Sequence, residues 1–115
     1  MKDLFSHPKM GASWEGFVIE QLLKTELHDE VFFWATHQGA EIDLILRRGD
    51  ALYGVECKRT DTPRLTPSIR NALDDLNLKH VFVIYPGIQQ FPLASQVEAV
   101  PLQTLVKGVS LLNGI

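Results

Sequence analysis

Asp43, Glu56 and Lys58 are the residues whose types and spacing could do chemistry together. Gly49-Asp50 separates two alternating runs, Glu41 to Arg48 and Ala51 to Lys58. A glycine suits the positive φ that a two-residue hairpin turn needs at its first position. With those two residues as the turn, Arg48 pairs with Ala51. Asp43 then lies opposite Glu56, and Glu41 opposite Lys58. Opposed residues have Cβ atoms about 4.5–5.5 Å apart, and like charges so placed repel. The Asp43–Glu56 pair therefore calls for something positive between its oxygens, and Mg²⁺ or Mn²⁺, hard and oxygen-seeking, is the natural candidate. Lys58 follows Glu56 by two residues and points the same way. It could stabilise charge developing on a phosphate or help to position an attacking water.

Each of these residues also has a plainer reading. Glu41 and Lys58 could form a cross-strand salt bridge. Asp43 and Glu56 could be two solvated carboxylates on an open sheet face. Glu15, the fourth candidate, could simply be favoured by the dipole at a helix N-terminus. That would explain an acid in the first turn but not its position. At about 100° per residue Glu15 falls near the centre of the arc formed by Val18, Ile19, Leu22 and Leu23, whereas Glu20 falls outside it. A carboxylate on an inward stripe needs a partner, because burying it alone is costly.

The elements that must hold these residues follow from period and punctuation. A helix is predicted from an N-cap at Ser13 to about Leu27. Val31 to His37 is rich in β-branched and aromatic residues and reads as a strand. Ile42, Leu44 and Leu46 are expected on one face of the next strand, with Glu41, Asp43 and Ile45 on the other. After the hairpin and a polar loop over residues 59–65, Thr66-Pro67 marks a helix start, an N-cap followed by proline at the first helical position. Ile69, Ala72, Leu73 and Leu76 form its inner stripe. His80 to Tyr85 reads as a strand apolar on both faces. Phe91-Pro92-Leu93 is assigned to a late loop, Val97 to Val100 to a short strand, and Pro101 to the opening of a last helix through about Lys107. The order is α-β-β-β-α-β followed by a short β-α. An antiparallel meander is expected first, and then a parallel strand–helix–strand unit.

The order, together with Asp43, a spacer of twelve residues and Glu56-Cys57-Lys58, resembles the PD-(D/E)XK nuclease signature on a restriction-endonuclease-like core. Ile42 stands where the motif has proline. The resemblance implies an α/β fold with a mixed central sheet flanked by helices. It implies that Asp43 and Glu56 hold the divalent metal, that Lys58 assists phosphodiester hydrolysis, and that Glu15 completes or supports the metal shell. A closer resemblance covers nearly the whole chain. His7–Phe17 (HPKMGASWEGF), Gly39–Leu44 (GAEIDL) and Glu56–Asp61 (ECKRTD) are similar to the DUF4143 domain at the C-terminus of bacterial and archaeal AAA-type ATPases. Such ATPases carry a P-loop domain upstream. This sequence has no G-x-x-x-x-G-K-[ST] run, so no ATP site is expected. The chain reads as a detached C-terminal module, with an arm over residues 1–11 and the nuclease-like domain over 12–115. An ATPase partner or a missing upstream ATPase domain is implied.

Composition bounds the partners. The chain has 115 residues, 45% of them apolar and 22% charged, which suits one folded domain. There is no apolar run of the roughly 20 residues needed to cross a bilayer, and no signal-like N-terminus. Cys57 is the lone cysteine, which excludes an internal disulfide and makes the reducing cytoplasm the expected compartment. Net charge is -3, yet Arg47 to Arg70 carries six basic residues against three acidic ones. Arg47, Arg59, Arg64 and Arg70 are candidates to hold phosphates of a nucleic acid, DNA by preference. Two other classes stay open. One is a non-catalytic nucleic-acid-binding or regulatory module. The other is a protein-interaction domain, homodimeric through its aromatics.

Overall fold

The computed structural model describes residues 14–26, 28–35, 41–60, 62–108 and 110–112, and of Glu15, Ala35, Glu41 and Asp43 it gives the backbone alone. The described elements are α1 (Trp14–Thr25), β1 (Glu30–Ala35), β2 (Glu41–Arg48), β3 (Ala51–Cys57), α2 (Pro67–Leu76), β4 (His80–Tyr85), β5 (Phe91–Ala94), β6 (Val97–Pro101) and α3 (Leu102–Val106). The expected N-cap Ser13, the N-terminal arm and the strand end at His37 lie outside the described residues.

The strands form one mixed sheet in the order β1-β2-β3-β4-β6-β5. β1, β2 and β3 are the expected antiparallel meander, and β3 pairs parallel with β4 across the α2 connection. β6 adds a second parallel pairing to β4, and β5 closes that side antiparallel to β6.

The sheet is apolar on both faces, and helices cover both. On one face Val18, Ile19 and Leu22 of α1 and Leu105 of α3 pack on Leu44, Leu46, Val55, Cys57, Phe82 and Ile84. On the other, Ile69 and Ala72 of α2 pack on Ile45, Val81, Val83 and Val97. Cys57 is therefore a core thiol, as its position in the alternation predicts. Among the described residues, no helix is long and apolar enough to cross a membrane.

Three expectations are corrected. Phe91-Pro92-Leu93 is a strand, not a loop. Proline is tolerated there because β5 is an edge strand, where a missing N–H leaves no ladder bond unmade. Ile42 does not share a face with Leu44 and Leu46, but packs with the α2 cluster. α1 ends at Thr25, short of Leu27.

Candidate functional site

The β2–β3 hairpin adopts the register that the turn residues dictate. Arg48 pairs with Ala51 and the ladder runs outward to Leu44 with Val55. Gly49 takes φ +63° while Asp50 does not enter the positive region, the φ pattern of a type II′ turn. The pairing ends there, one residue before Asp43 and Glu56. At that point the ladder between β1 and β2 changes: Phe32 pairs with Ile45, but Trp34 pairs with Ile42. Phe33 thus faces two residues, Asp43 and Leu44. This is the two-against-one count of a β-bulge, which bends a strand and re-aims its side chains. It also explains why Ile42 changes face.

Glu56 pairs with Val83, on the α2 side of the sheet, while its neighbours Val55 and Cys57 pair with Phe82 and Ile84 on the α1 side. Among the described residues only Glu26 and Glu56 are buried charged groups. The Glu56 side chain is 7% exposed, and Lys58 Nζ stands 4.0 Å from its Oε2 with a side chain 38% exposed. Lys58 lies just past β3, yet its N–H still donates to the Ile84 carbonyl at 2.9 Å. The backbone that carries it is thereby fixed to β4. The expected Glu41–Lys58 bridge lies outside the described side chains; the acid seen at Lys58 is Glu56.

β3, β4 and β6 run parallel, so their carboxyl ends, Cys57, Tyr85 and Pro101, lie together. In open α/β sheets ligands bind outside those ends. α2 begins there. Its N-cap Thr66 accepts the Ile69 N–H through Oγ1 at 3.3 Å, Pro67 opens the first turn, and Asn77 closes the helix at φ 53°.

The first turn of α1, with Glu15, belongs to the same end. Asp29, just after α1, donates its N–H to the Arg47 carbonyl beside the hairpin turn, and Glu30 pairs with Arg47. The last turn of α1 is thus tied to the turn end of the sheet, and Glu15 sits at the helix's other end. It precedes Val18, Ile19 and Leu22 by three, four and seven residues, so its backbone lies on the buried stripe. The resemblance implies that Glu15 joins Asp43 and Glu56 in a metal shell. The structure places α1 on the face opposite Glu56, so any convergence must occur around the end of the sheet. The side chains of Glu15 and Asp43 lie outside the described residues. Among the described residues, no group of three or more His, Cys, Asp or Glu could hold a metal.

The four candidate arginines divide. Arg47 is committed at the turn end: Nε is 3.0 Å from Glu30 Oε1, one Nη is 3.7 Å from Asp29 Oδ2, and the same Nη donates to the Gly49 carbonyl at 2.9 Å. That removes it from the site, because the hairpin's length separates the two ends. Arg59, Arg64 and Arg70 are exposed and follow Glu56 and Lys58 into the loop and the first turns of α2.

Sequence reasoning misses Glu26. This buried carboxylate accepts the N–H groups of Leu111 and Leu112 and the hydroxyls of Ser110 and Thr25. It also does not foresee the pairing of His80 with Glu98, where Nε2 lies 3.6 Å from Oε1 on neighbouring strands. Neither has a local sequence signal, since each depends on a contact made only by the fold.

The model of the family described as "Domain of unknown function (DUF4143)" matches residues 10–105. Two curated proteins are each 45% identical over 100 residues: uncharacterized protein Rv2008c of Mycobacterium tuberculosis and uncharacterized protein Mb2031c of Mycobacterium bovis. In each case the match covers 87% of this chain and 23% of the relative, so the chain spans under a quarter of their length. No solved structure matches.

Proposed function

The chain belongs to the DUF4143 family, and we propose that it is a PD-(D/E)XK-like, metal-dependent nuclease module acting on nucleic acid, DNA by preference. The observation that carries this reading is Glu56, a buried carboxylate at the carboxyl end of β3. It follows Val55, the last β3 residue paired with β2, and Lys58 Nζ stands 4.0 Å from its Oε2. The α1-β1-β2-β3-α2-β4 order agrees with a restriction-endonuclease-like core.

The donors fit Mg²⁺ or Mn²⁺, since carboxylate oxygens are the hard ligands those ions prefer. Asp43 and Glu56 would hold the ion and Glu15 would support the shell. Bound there, it would polarise a phosphodiester and lower the pKa of a water. The protein's own part is positional. Val55 and Cys57 anchor β3 in the core on either side of Glu56, so the carboxylate is held rigidly. The Lys58 ammonium, on a backbone pinned to Ile84, presents positive charge where a phosphate would gain negative charge.

A second reading has its own observation. Lys58 already stands within ion-pair distance of Glu56, which offsets the cost of burying that carboxylate without a metal. This favours a non-catalytic module that keeps the fold. An ATPase, on a partner or elsewhere in the same polypeptide, would then supply the activity that the module serves. Incubation of the chain with single-stranded, duplex and branched nucleic acid, with Mn²⁺ or EDTA, separates the two. The nuclease reading expects divalent-dependent cleavage that is lost in Asp43→Ala and Glu56→Ala. Cleavage absent with every substrate, or unchanged in both variants, rejects it.

A further inference from the structure

We infer that Arg59, Arg64 and Arg70 form a docking surface for a phosphodiester backbone, which runs past the carboxyl end of β3 and over the first turns of α2. Residues 58–70 carry four cations and one acid, Asp61, in a chain whose net charge is -3. Asp61 lies outside the described residues. The positive charge is therefore local and set against an acidic remainder, which is the footprint of a polyanion site more than of general solubility.

The three guanidiniums are exposed, but the backbone that carries them is not loose. Thr62 donates its N–H to Thr60 Oγ1 at 3.2 Å and closes a side-chain turn just after Arg59. Arg64 stands between Pro63, which is buried, and Leu65, which packs against the α2-side core. Arg70 follows buried Ile69 on a helix with a side-chain N-cap. Among the described residues no ion pair engages Arg59, Arg64 or Arg70, and Asp74, one turn after Arg70, is not within ion-pair distance of it. Arg47 is the contrast: the same residue type, spent on Asp29 and Glu30.

The first turn of α2 contains no acid, so the partial positive charge of its N–H groups adds to the same surface. Guanidinium groups match phosphate oxygens with paired N–H donors. The choice of a phosphodiester over an acidic peptide rests on the nuclease-fold reading of the adjoining Glu56–Lys58 site. The docking surface itself needs no metal, so its test can fail or succeed independently of that reading.

Anisotropy titrations of labelled duplex and single-stranded oligonucleotide in EDTA, between about 50 and 200 mM salt, provide the test. Wild type should bind with an affinity that falls steeply with salt. The triple variant R59A/R64A/R70A should bind about ten-fold or more weakly at the lowest salt. Its log–log salt slope should be shallower by about 2–3, because each lost phosphate contact removes close to one released counterion. R59K/R64K/R70K should restore the slope, and Arg47→Ala should leave both quantities at wild-type values. The inference is overturned if wild type shows no salt-dependent binding, if the triple variant binds like wild type, if Arg47→Ala weakens binding as much, or if polyglutamate binds better than nucleic acid at equal salt.

Discussion

Oε2 of Glu26 accepts the backbone N–H of Leu111 at 2.8 Å, joining the end of α1 to a segment 85 residues away. Oε1 of the same carboxylate takes the Leu112 N–H at 3.0 Å and the Ser110 hydroxyl at 2.8 Å. Leu111 and Leu112 then complete the core beneath α1 and α3.

Glu26→Ala would leave two buried N–H groups without their acceptor. Each unsatisfied buried donor costs roughly 1–3 kcal/mol, so a loss of about 2–6 kcal/mol is expected in urea unfolding. Glu26→Gln should also destabilise, because its amide NH₂ must face one of the N–H donors. Hydrogen exchange at Leu111 and Leu112 should accelerate in both variants. A change in stability below about 0.5 kcal/mol would contradict this assignment.

Gly49 sets the hairpin that brings β2 and β3 into register. Its φ of +63° strains any side-chain-bearing residue, although nothing lies within 4 Å of the added Cβ. Gly49→Ala should therefore cost about 1–2 kcal/mol from backbone conformation alone. Thermal or urea unfolding checks the size. An unchanged midpoint would show that the turn does not need the left-handed conformation.

His80 provides a pH dependence. Burial lowers its pKa from the ordinary value of 6.5, and the nearby Glu98 carboxylate opposes that shift without cancelling it. Its Nε2 is buried without a hydrogen-bond partner. The folded state resists protonation more than the unfolded chain does, so the unfolded state binds more protons between the lowered folded value and 6.5. Stability should fall as pH drops from 6.5 through that window, and show no contribution from His80 above it. Glu98→Gln removes the opposing charge, so the loss should extend to lower pH. His80→Gln should flatten the profile. Unfolding free energy followed against pH tests this, and identical slopes in wild type and His80→Gln would rule it out.

How far the sequence reaches depends on how local the signal is. Gly49-Asp50 is enough to predict the pairing of Arg48 with Ala51, because turn length and side-chain period leave one register. Thr66-Pro67 predicts the start of α2 for the same reason, since the cap and the fixed proline φ act within one turn. β5 escapes because Pro92 argues against a strand unless its edge position is known. The face of Ile42 escapes because the bulge opposite Phe33 arises between two strands and appears in neither alone. Glu26 and the commitment of Arg47 to Asp29 and Glu30 are tertiary facts. In the site, the hairpin register is legible as far as Leu44 with Val55, while the step on to Asp43 and Glu56 lies beyond the paired residues, where the bulge intervenes. The helix that carries Glu15 is legible too, but not the side of the sheet on which it packs.

The most direct measurement is a calorimetric titration of Mn²⁺ into wild type, Glu56→Ala and Asp43→Ala, with no nucleic acid present. The account predicts saturable binding to wild type that both variants lose, with the variants still folded by circular dichroism. Binding absent from wild type, or retained by both variants, would contradict a carboxylate metal site between β2 and β3.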